Sequence, residues 1–235
     1  AGFRLTAIPN GTGRLPVNGW PLAAPAWLWL AGRAAMLLSG VIGGIAAAVI
    51  DVSFLVAIAA VAGREIVAGR NWRNLRVLTV LGVLIVGNIV FHAEVLLTGK
   101  ADYGVRIAIA AVILLISLVG GRLVPSFTGN WLARNNPGRR PTPFSRCDMI
   151  AMAASVLALV AGSAAPLNAV SGALLLAAGL LQATRLARWA GDRALADRLV
   201  LVLHDAYVFV PLGFLLVAAS VFVAALTPRA GVPAW

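Results

Sequence analysis

Apolar residues occur along this chain in continuous runs, separated by short polar segments that are rich in glycine, proline and arginine. A helical run of roughly 20 such residues is long enough to cross the hydrocarbon core of a bilayer. The runs are continuous and do not alternate between apolar and polar residues, so they predict helices and not strands. The pattern predicts about seven spans, at 21–39, 41–62, 76–98, 104–124, 148–166, 168–189 and 199–226.

Composition supports the same class. Hydrophobic residues make up 61% of the chain and charged residues only 11%, whereas soluble domains carry about 25% charged residues. The sequence therefore predicts an all-α fold, a polytopic transmembrane helical bundle. It is expected to form a single integral-membrane domain over residues 1–235 that contacts the lipid bilayer.

The longest polar connection is predicted at 125–147, which is rich in Gly, Pro, Asn and Arg. Pro125 is expected to end the preceding helix and to free backbone carbonyl groups. The glycines at 120 and 121 permit close approach between helices. This segment is either only a connection between helices or part of a functional site.

The positions of the 19 Lys and Arg residues predict how the helices are oriented. Lys100, Arg106 and Arg229 lie on one side of the predicted spans, Arg33 lies inside a span, and all the others lie on the opposite side. Cytoplasmic loops carry an excess of Lys and Arg, so the cation-rich side is predicted to be cytoplasmic. Residue 1 would then be cytoplasmic and residue 235 periplasmic, in a bacterial inner membrane.

Several classes of chemistry find no support in the sequence. The net charge of +11 falls between apolar runs, so topology explains it and nucleic acid is not a predicted partner. A single cysteine, Cys147, excludes an intrachain disulfide framework and a cysteine-based metal cluster. No Walker A loop, dinucleotide fingerprint, HExxH motif or Ser–His–Asp arrangement is visible.

Two ionisable residues inside the first two spans are predicted to form an ion pair. Arg33 and Asp51 lie about 18 Å and 17 Å above the cytoplasmic ends of neighbouring antiparallel spans. Such a pair either neutralises itself and fixes packing, or it belongs to a proton or anion path. Both readings stay open at this point.

The two histidines, His92 and His204, are the candidate metal ligands, since imidazole is a common ligand of metals and of haem. His92 has Asn88 one turn earlier on the same helix face. The alternative for each histidine is an interhelical hydrogen bond. Glu94, close to His92, is expected to reach the outer interface and not to act as a base.

The depths of the two histidines differ. His92 is expected about 22 Å above the cytoplasmic boundary and His204 about 8 Å above it. Metal–nitrogen bonds near 2 Å require two ligands of one metal to lie within about 4 Å of each other. The two histidines are therefore predicted to serve separate sites, each completed by other ligands.

Six motifs together resemble the NnrS family. They are spread through the whole chain and read "TAIPNGTGRLPVNG" (6–19), "NWRNL" (71–75), "NIVFH" (88–92), "GGRLVPSFTGNWL" (120–132), "RLARW" (185–189) and "LHDAYVFVPLG" (203–213). The resemblance implies a bacterial inner-membrane protein that contains haem and copper and takes part in the response to nitric oxide and nitrosative stress. It also implies that this chain is the central portion of a longer polytopic protein, with further histidine-bearing regions before Ala1 and after Trp235.

Carried over by position, the resemblance makes His92 and His204 the haem or copper ligand candidates. It also draws attention to Arg14 in the first motif and Arg122 in the fourth. These two arginines could clamp an anion such as a haem propionate, since guanidinium binds carboxylate in a bidentate manner. The alternative is that they extend to lipid phosphates.

Three functions remain open from the sequence. The leading one is a haem and copper protein that reacts with nitric oxide at a metal or transfers electrons. The second is a small-molecule or ion transporter without a redox cofactor, with Arg33, Asp51 and a broken helix near Pro211 lining a path. The third is a structural subunit of a membrane redox complex. Whether the protein is an enzyme stays open.

Overall fold

The structure is a computed structural model that describes residues 20–227. Its described residues form helices and no strand, which confirms the all-α prediction. The elements in chain order are α1 (Trp20–Leu37), α2 (Ser39–Ile42), α3 (Gly44–Ala68), a 3₁₀ turn (Trp72–Asn74), α4 (Leu75–Thr98), α5 (Tyr103–Asn135), α6 (Arg146–Ala164), α7 (Ala169–Ala187), a second 3₁₀ turn (Gly191–Arg193) and α8 (Arg198–Leu226).

Six helices among the described residues are long and apolar enough to cross a membrane, namely α3 to α8. The first predicted span, 21–39, corresponds to α1, which is 18 residues long and carries Pro25 and Arg33. α1 is not one of the six. The predicted number of about seven spans is therefore close to what the structure contains.

Helix α5 corrects the prediction of a loop at 125–147. It is 33 residues long, continues through Pro125 and ends only at Asn135, so the loop begins at 136. A proline removes one helical hydrogen bond, whereas breaking the helix would leave many backbone groups without partners. The Thr128 hydroxyl also donates to the Val124 carbonyl at 2.7 Å within this stretch.

Helix α8 makes the same correction at Pro211. It runs without interruption from Arg198 to Leu226 with Pro211 inside it. The broken helix that the sequence suggested near Pro211 is therefore wrong. The physical reason is again that a continuous helix satisfies more backbone groups than two half-helices do.

The chain divides into two compact units, 1–111 and 112–235, and the division falls within α5. In the first unit, α3 packs against both α1 and α4. In the second unit, α7 packs between α6 and α8. Small side chains at Ala158, Ala178 and Ala218, fully buried in this second unit, let its helices approach closely.

In the first unit, the Glu94 carboxylate stabilises the turn between α4 and α5. Glu94 accepts hydrogen bonds from the backbone N–H groups of Tyr103 and Gly104, at 3.1 and 2.8 Å. The first N–H groups of α5 have no helical partner and attract an anion, so Glu94 caps the start of α5. That Glu94 reaches the outer interface stays a prediction. Gly104 also lies directly against the backbone of Phe91 in α4.

We expect Gly104→Ala to destabilise the first unit. A Cβ at this position would lie 2.3 Å from the Phe91 nitrogen and 2.4 Å from its Cα, and backbone atoms cannot turn away as side chains do. The cost should be about 1–3 kcal/mol, as for other overpacked sites, read as a lower unfolding midpoint in detergent.

Gly82→Ala on α4 is the matched control, since a Cβ there meets nothing within 4 Å. It should leave the midpoint unchanged or raise it slightly, because alanine favours helix. Equal midpoints for the two variants would contradict the tight crossing.

Candidate functional site

His204 lies in the second turn of α8, where one of its ring nitrogens is held by the helix itself. Nδ1 lies 2.9 Å from the Val200 carbonyl oxygen. A carbonyl oxygen can only accept, so Nδ1 carries the proton. This hydrogen bond fixes both the tautomer and the orientation of the ring, and it leaves Nε2 with a free lone pair.

The second nitrogen of His204 is buried and has no hydrogen-bond partner among the described residues. Buried polar atoms in proteins are nearly always paired, so an unpaired one requires an explanation. A histidine whose Nδ1–H is bound to a carbonyl while Nε2 stays free is the usual arrangement of an imidazole that binds a metal. His204 therefore has the chemistry of a metal ligand.

The backbone beside His204 comes from the turn after α7. Ala190 adopts a left-handed conformation, with φ 55° and ψ 35°, which few residues other than glycine, asparagine and aspartate adopt. The turn brings Gly191 against the imidazole ring, since a Cβ at 191 would lie 2.4 Å from His204 Cδ2. This face of the imidazole is thus covered by the backbone of Gly191.

A buried arginine organises the helices around this histidine. Arg185 of α7 is only 2% exposed. Its Nε donates to Asp148 Oδ1 at 3.1 Å, and its Nη1 donates to the Ser117 carbonyl at 3.1 Å and to the Tyr207 hydroxyl at 3.0 Å. A buried guanidinium is tolerated only with such partners, and here they come from α5, α6 and α8.

The hydrogen bonds continue from Tyr207 into the core. The Tyr207 hydroxyl donates to Gln182 Oε1 at 2.9 Å, and Gln182 Nε2 donates to the Ser155 hydroxyl at 2.8 Å. The Trp189 ring packs edge-on against Tyr207, with 4.6 Å between centroids, and lies 5.4 Å from the Arg185 guanidinium carbon. Tyr207 is one turn beyond His204, so this network also fixes the start of α8.

The carboxylate of Asp148 has two further tasks. With Ser145 it forms a capping box at the start of α6, in which Ser145 N donates to Asp148 Oδ2 at 2.9 Å. Arg188 Nη1 approaches the same oxygen at 3.5 Å. One buried anion therefore serves two cations and a helix end.

The paired glycines of α5 explain how it approaches Arg185. A Cβ at Gly121 would lie 1.9 Å from Arg185 Nη2, and one at Gly120 would lie 2.8 Å from the Tyr207 ring. The motif that begins at residue 120 is therefore a packing surface for the Arg185 network. The close approach predicted for Gly120 and Gly121 is therefore present. The segment that follows them was predicted to be a turn, but it is helical.

Sequence reasoning missed Arg185 and Asp148. Arg185 was counted among the cytoplasmic cations, yet it is fully buried. The available signal was Asp148, a carboxylate at the start of an apolar span, which needs a cation nearby. Periodicity alone does not show which cation that is.

In the first unit, Asp51 gathers three polar side chains. Arg33 Nη2 donates to Asp51 Oδ1, so the two residues form the ion pair that was expected. Asn88 Nδ2 donates to Asp51 Oδ2 at 2.9 Å, and His92 Nε2 lies 3.3 Å from the same oxygen. The Asp51 cluster thus joins α1, α3 and α4.

This contact bears on His92 directly. Its Nε2 is engaged by a carboxylate, which is the interhelical hydrogen bond named as the alternative to a metal. A carboxylate on one ring nitrogen also orients many metal-binding histidines, whose other nitrogen then coordinates. His92 as a ligand stays a prediction.

The two remaining candidates are arginines. Arg14 lies outside the described residues. Arg122 follows Gly121 on α5 with an exposed side chain. Within residues 20–227 no group of three or more His, Cys, Asp or Glu side chains is arranged to hold a metal ion, so any metal at His204 would draw its other ligands from elsewhere.

Comparison with protein families finds one described as NnrS protein, which matches residues 1–235. This match confirms the resemblance that the six motifs suggested. Comparisons with curated proteins and with solved structures gave no match.

We expect Gly121→Ala to disrupt the Arg185 network. A Cβ at 1.9 Å from Nη2 would force the guanidinium away from its partners, and a buried charge without partners is costly. The unfolding midpoint in detergent should fall by an amount that corresponds to about 3 kcal/mol. Gly129→Ala on the same helix meets nothing closer than 3.9 Å and should change little; a similar fall in both variants would refute this explanation.

The Asp51 cluster predicts a compensating pair of substitutions. Asp51→Asn alone leaves the Arg33 guanidinium without its counter-charge, at a cost of about 3 kcal/mol. Arg33→Met combined with Asp51→Asn removes both charges and should recover most of that stability. Unfolding of the two single variants and the double variant in one detergent measures the coupling, and strict additivity would rule out the ion pair as a stabilising contact.

Proposed function

This chain belongs to the NnrS family, and we propose that it acts as a haem- and copper-containing membrane protein in the bacterial response to nitric oxide and nitrosative stress. Membership of the family, which is commonly linked to that response, supports the proposal. The apolar helices α3 to α8 support a multi-pass membrane protein. The inner membrane, with residue 1 cytoplasmic and residue 235 periplasmic, is the proposed location.

The observation that carries the proposal is the unpaired Nε2 of His204. The atom is buried, it carries a lone pair, and no described residue donates to it. A metal ion or a haem iron is the partner that such a nitrogen fits. When bound, that metal would supply a centre at which nitric oxide can bind and an electron can be exchanged.

The protein's own residues prepare His204 for this role. The Val200 carbonyl accepts a hydrogen bond from Nδ1, which makes Nε2 the nitrogen that can coordinate and fixes the orientation of the ring. Tyr207 lies one turn beyond His204 on α8, and Trp189 lies in the segment between α7 and α8. Their contacts with each other and with Arg185 restrict the movement of α8. A ligand held in one orientation binds metal more tightly than a mobile one.

His92 is proposed as the ligand of a second, separate site. With Nε2 engaged by Asp51, the other ring nitrogen would be the one that coordinates. Asp51 would then orient His92 as Val200 orients His204. Arg14 and Arg122 keep the proposed role of binding a haem propionate.

The second candidate function is a transporter without a redox cofactor, and the Asp51 cluster favours it. Charged groups inside a membrane often mark an ion or proton path, and the Arg33 side chain is 53% exposed. The other support for a transporter, a helix broken near Pro211, is removed because α8 is continuous.

The optical spectrum of the purified full-length protein tests the proposal. The wild type should show a Soret band that shifts when nitric oxide is added, and copper should be detected by elemental analysis. His204→Ala should lose the band or the copper, because a buried ligand nitrogen has been removed. His92→Ala, measured in parallel, assigns the other metal.

Asp205→Ala is the matched control, since Asp205 is the next residue on α8 and is exposed. It should keep the spectrum and the copper of the wild type. A colourless, copper-free wild-type protein would refute the proposal and favour a transporter. Full retention of both metals in His204→Ala would refute the assignment of His204 as a metal ligand.

A further inference from the structure

Residues 190–193 form a short segment, here called the His204 cover, that lies between α7 and α8. We propose that this cover controls access to His204: closed, it keeps Nε2 buried, and it must open before a metal ion, a small ligand or a macrocycle such as haem can reach that atom. The inference rests on the proposed function, because it takes Nε2 of His204 as the coordinating atom.

Gly191 lies over one face of the imidazole. A Cβ built at Gly191 would lie 2.4 Å from Cδ2, 2.7 Å from Nε2 and 3.0 Å from Cγ of His204. Because these three distances are similar, the point lies above the ring and not in line with the Nε2 lone pair. One face of the ring therefore has backbone against it, and Nε2 itself is buried.

The burial of Nε2 is what makes the cover a barrier. A metal would bind about 2 Å from the nitrogen, and a reagent that attacks Nε2 must come equally close. Because Nε2 is buried while the cover is closed, either one can approach only when the cover moves.

The start of the cover is anchored in the core. Trp189, only 2% exposed, is fixed by its ring contacts with Tyr207 and Arg185. Ala190 then turns the chain through a left-handed conformation. Such backbone is costly for alanine and persists only where its surroundings hold it.

The end of the cover is latched by Arg193. Its Nη1 donates to the Arg139 carbonyl at 2.6 Å, and its Nη2 donates to Asn136 Oδ1 at 2.8 Å and to the Pro137 carbonyl at 3.2 Å. Asn136 Nδ2 donates in return to the Arg193 carbonyl at 3.2 Å. These bonds join the cover to the loop directly after α5.

Two further features favour the closed arrangement. Gly138, with φ 139°, lets the loop pass close to the guanidinium, since a Cβ there would lie 2.8 Å from Arg193 Nη1. Arg139 Nη2 contacts both carboxylate oxygens of Asp192 at 2.5 Å. That pair is exposed and contributes little by itself, so Arg193 is the main latch.

The test measures how fast His204 is modified by diethyl pyrocarbonate in the full-length protein freed of metal and haem, read by mass spectrometry, because a metal on Nε2 would itself block the reaction. The wild type should react slowly, because the cover is closed. Arg193→Ala should react about tenfold faster or more, the factor expected for losing one charged hydrogen bond. Asn136→Ala, which undoes the same latch from the loop side, should also react faster.

Gly191→Ala should react faster too, because a Cβ cannot fit over the ring and the short turn yields before α8 does. The matched controls are Gly213→Ala on α8, where a Cβ meets nothing within 4 Å, and Arg140→Ala in the same loop. Both should react at the wild-type rate. Wild-type rates in Arg193→Ala and Asn136→Ala would overturn the proposal.

Uptake of hemin by the cofactor-free protein tests whether the cover also limits cofactor binding. Arg193→Ala should bind hemin faster than the wild type by a factor similar to its gain in modification rate. Equal uptake rates would overturn control of cofactor access by the cover. Failure of the proposed function is distinguishable, since His204→Ala would then keep its metals whatever the cover does.

Discussion

Burying a guanidinium is the constraint on which the second unit depends. Arg185 has almost no contact with solvent, and an unpaired charge in such surroundings would cost more than a domain of this size can tolerate. Its partners come from three other helices, so those helices can pack only in the arrangement that brings a carboxylate, a carbonyl and a phenol together. Apolar packing holds these helices together, and Arg185 selects one packing among many.

Each of the two units contains one buried ion that is held by partners from other helices, and the two ions have opposite charges. In the first unit the buried ion is a carboxylate, Asp51, surrounded by donors from two other helices. In the second it is an arginine surrounded by acceptors. Each unit also holds one of the two histidines, and their surroundings differ. The His92 ring contacts the buried carboxylate of Asp51, whereas the His204 ring is hydrogen-bonded to its own helix through Nδ1 and keeps Nε2 unpaired.

The sequence predicts the helices well, since hydrophobic length is a strong signal in a membrane protein. It also predicts the Arg33–Asp51 contact, because two charges at matching depth on adjacent helices have few other partners. It fails at Pro125 and Pro211, where the rule for soluble helices was applied to segments in which a break would cost more. It fails at Arg185 as well, because a cation near a span end looks the same whether it faces lipid phosphate or the core. The relation between Gly191 and His204 depends on a turn that no pattern encodes.

The uninterrupted course of α5 has a consequence for its length. Gly121 meets Arg185 near the middle of the helix, and the loop that begins at Asn136 binds Arg193 just beyond its end. Each residue of an α-helix advances the chain by about 100° around its axis. Removing or adding one residue between Gly121 and Asn136 would rotate one of these contacts away from the other. The number of residues between them is therefore fixed, although their composition resembles that of a loop.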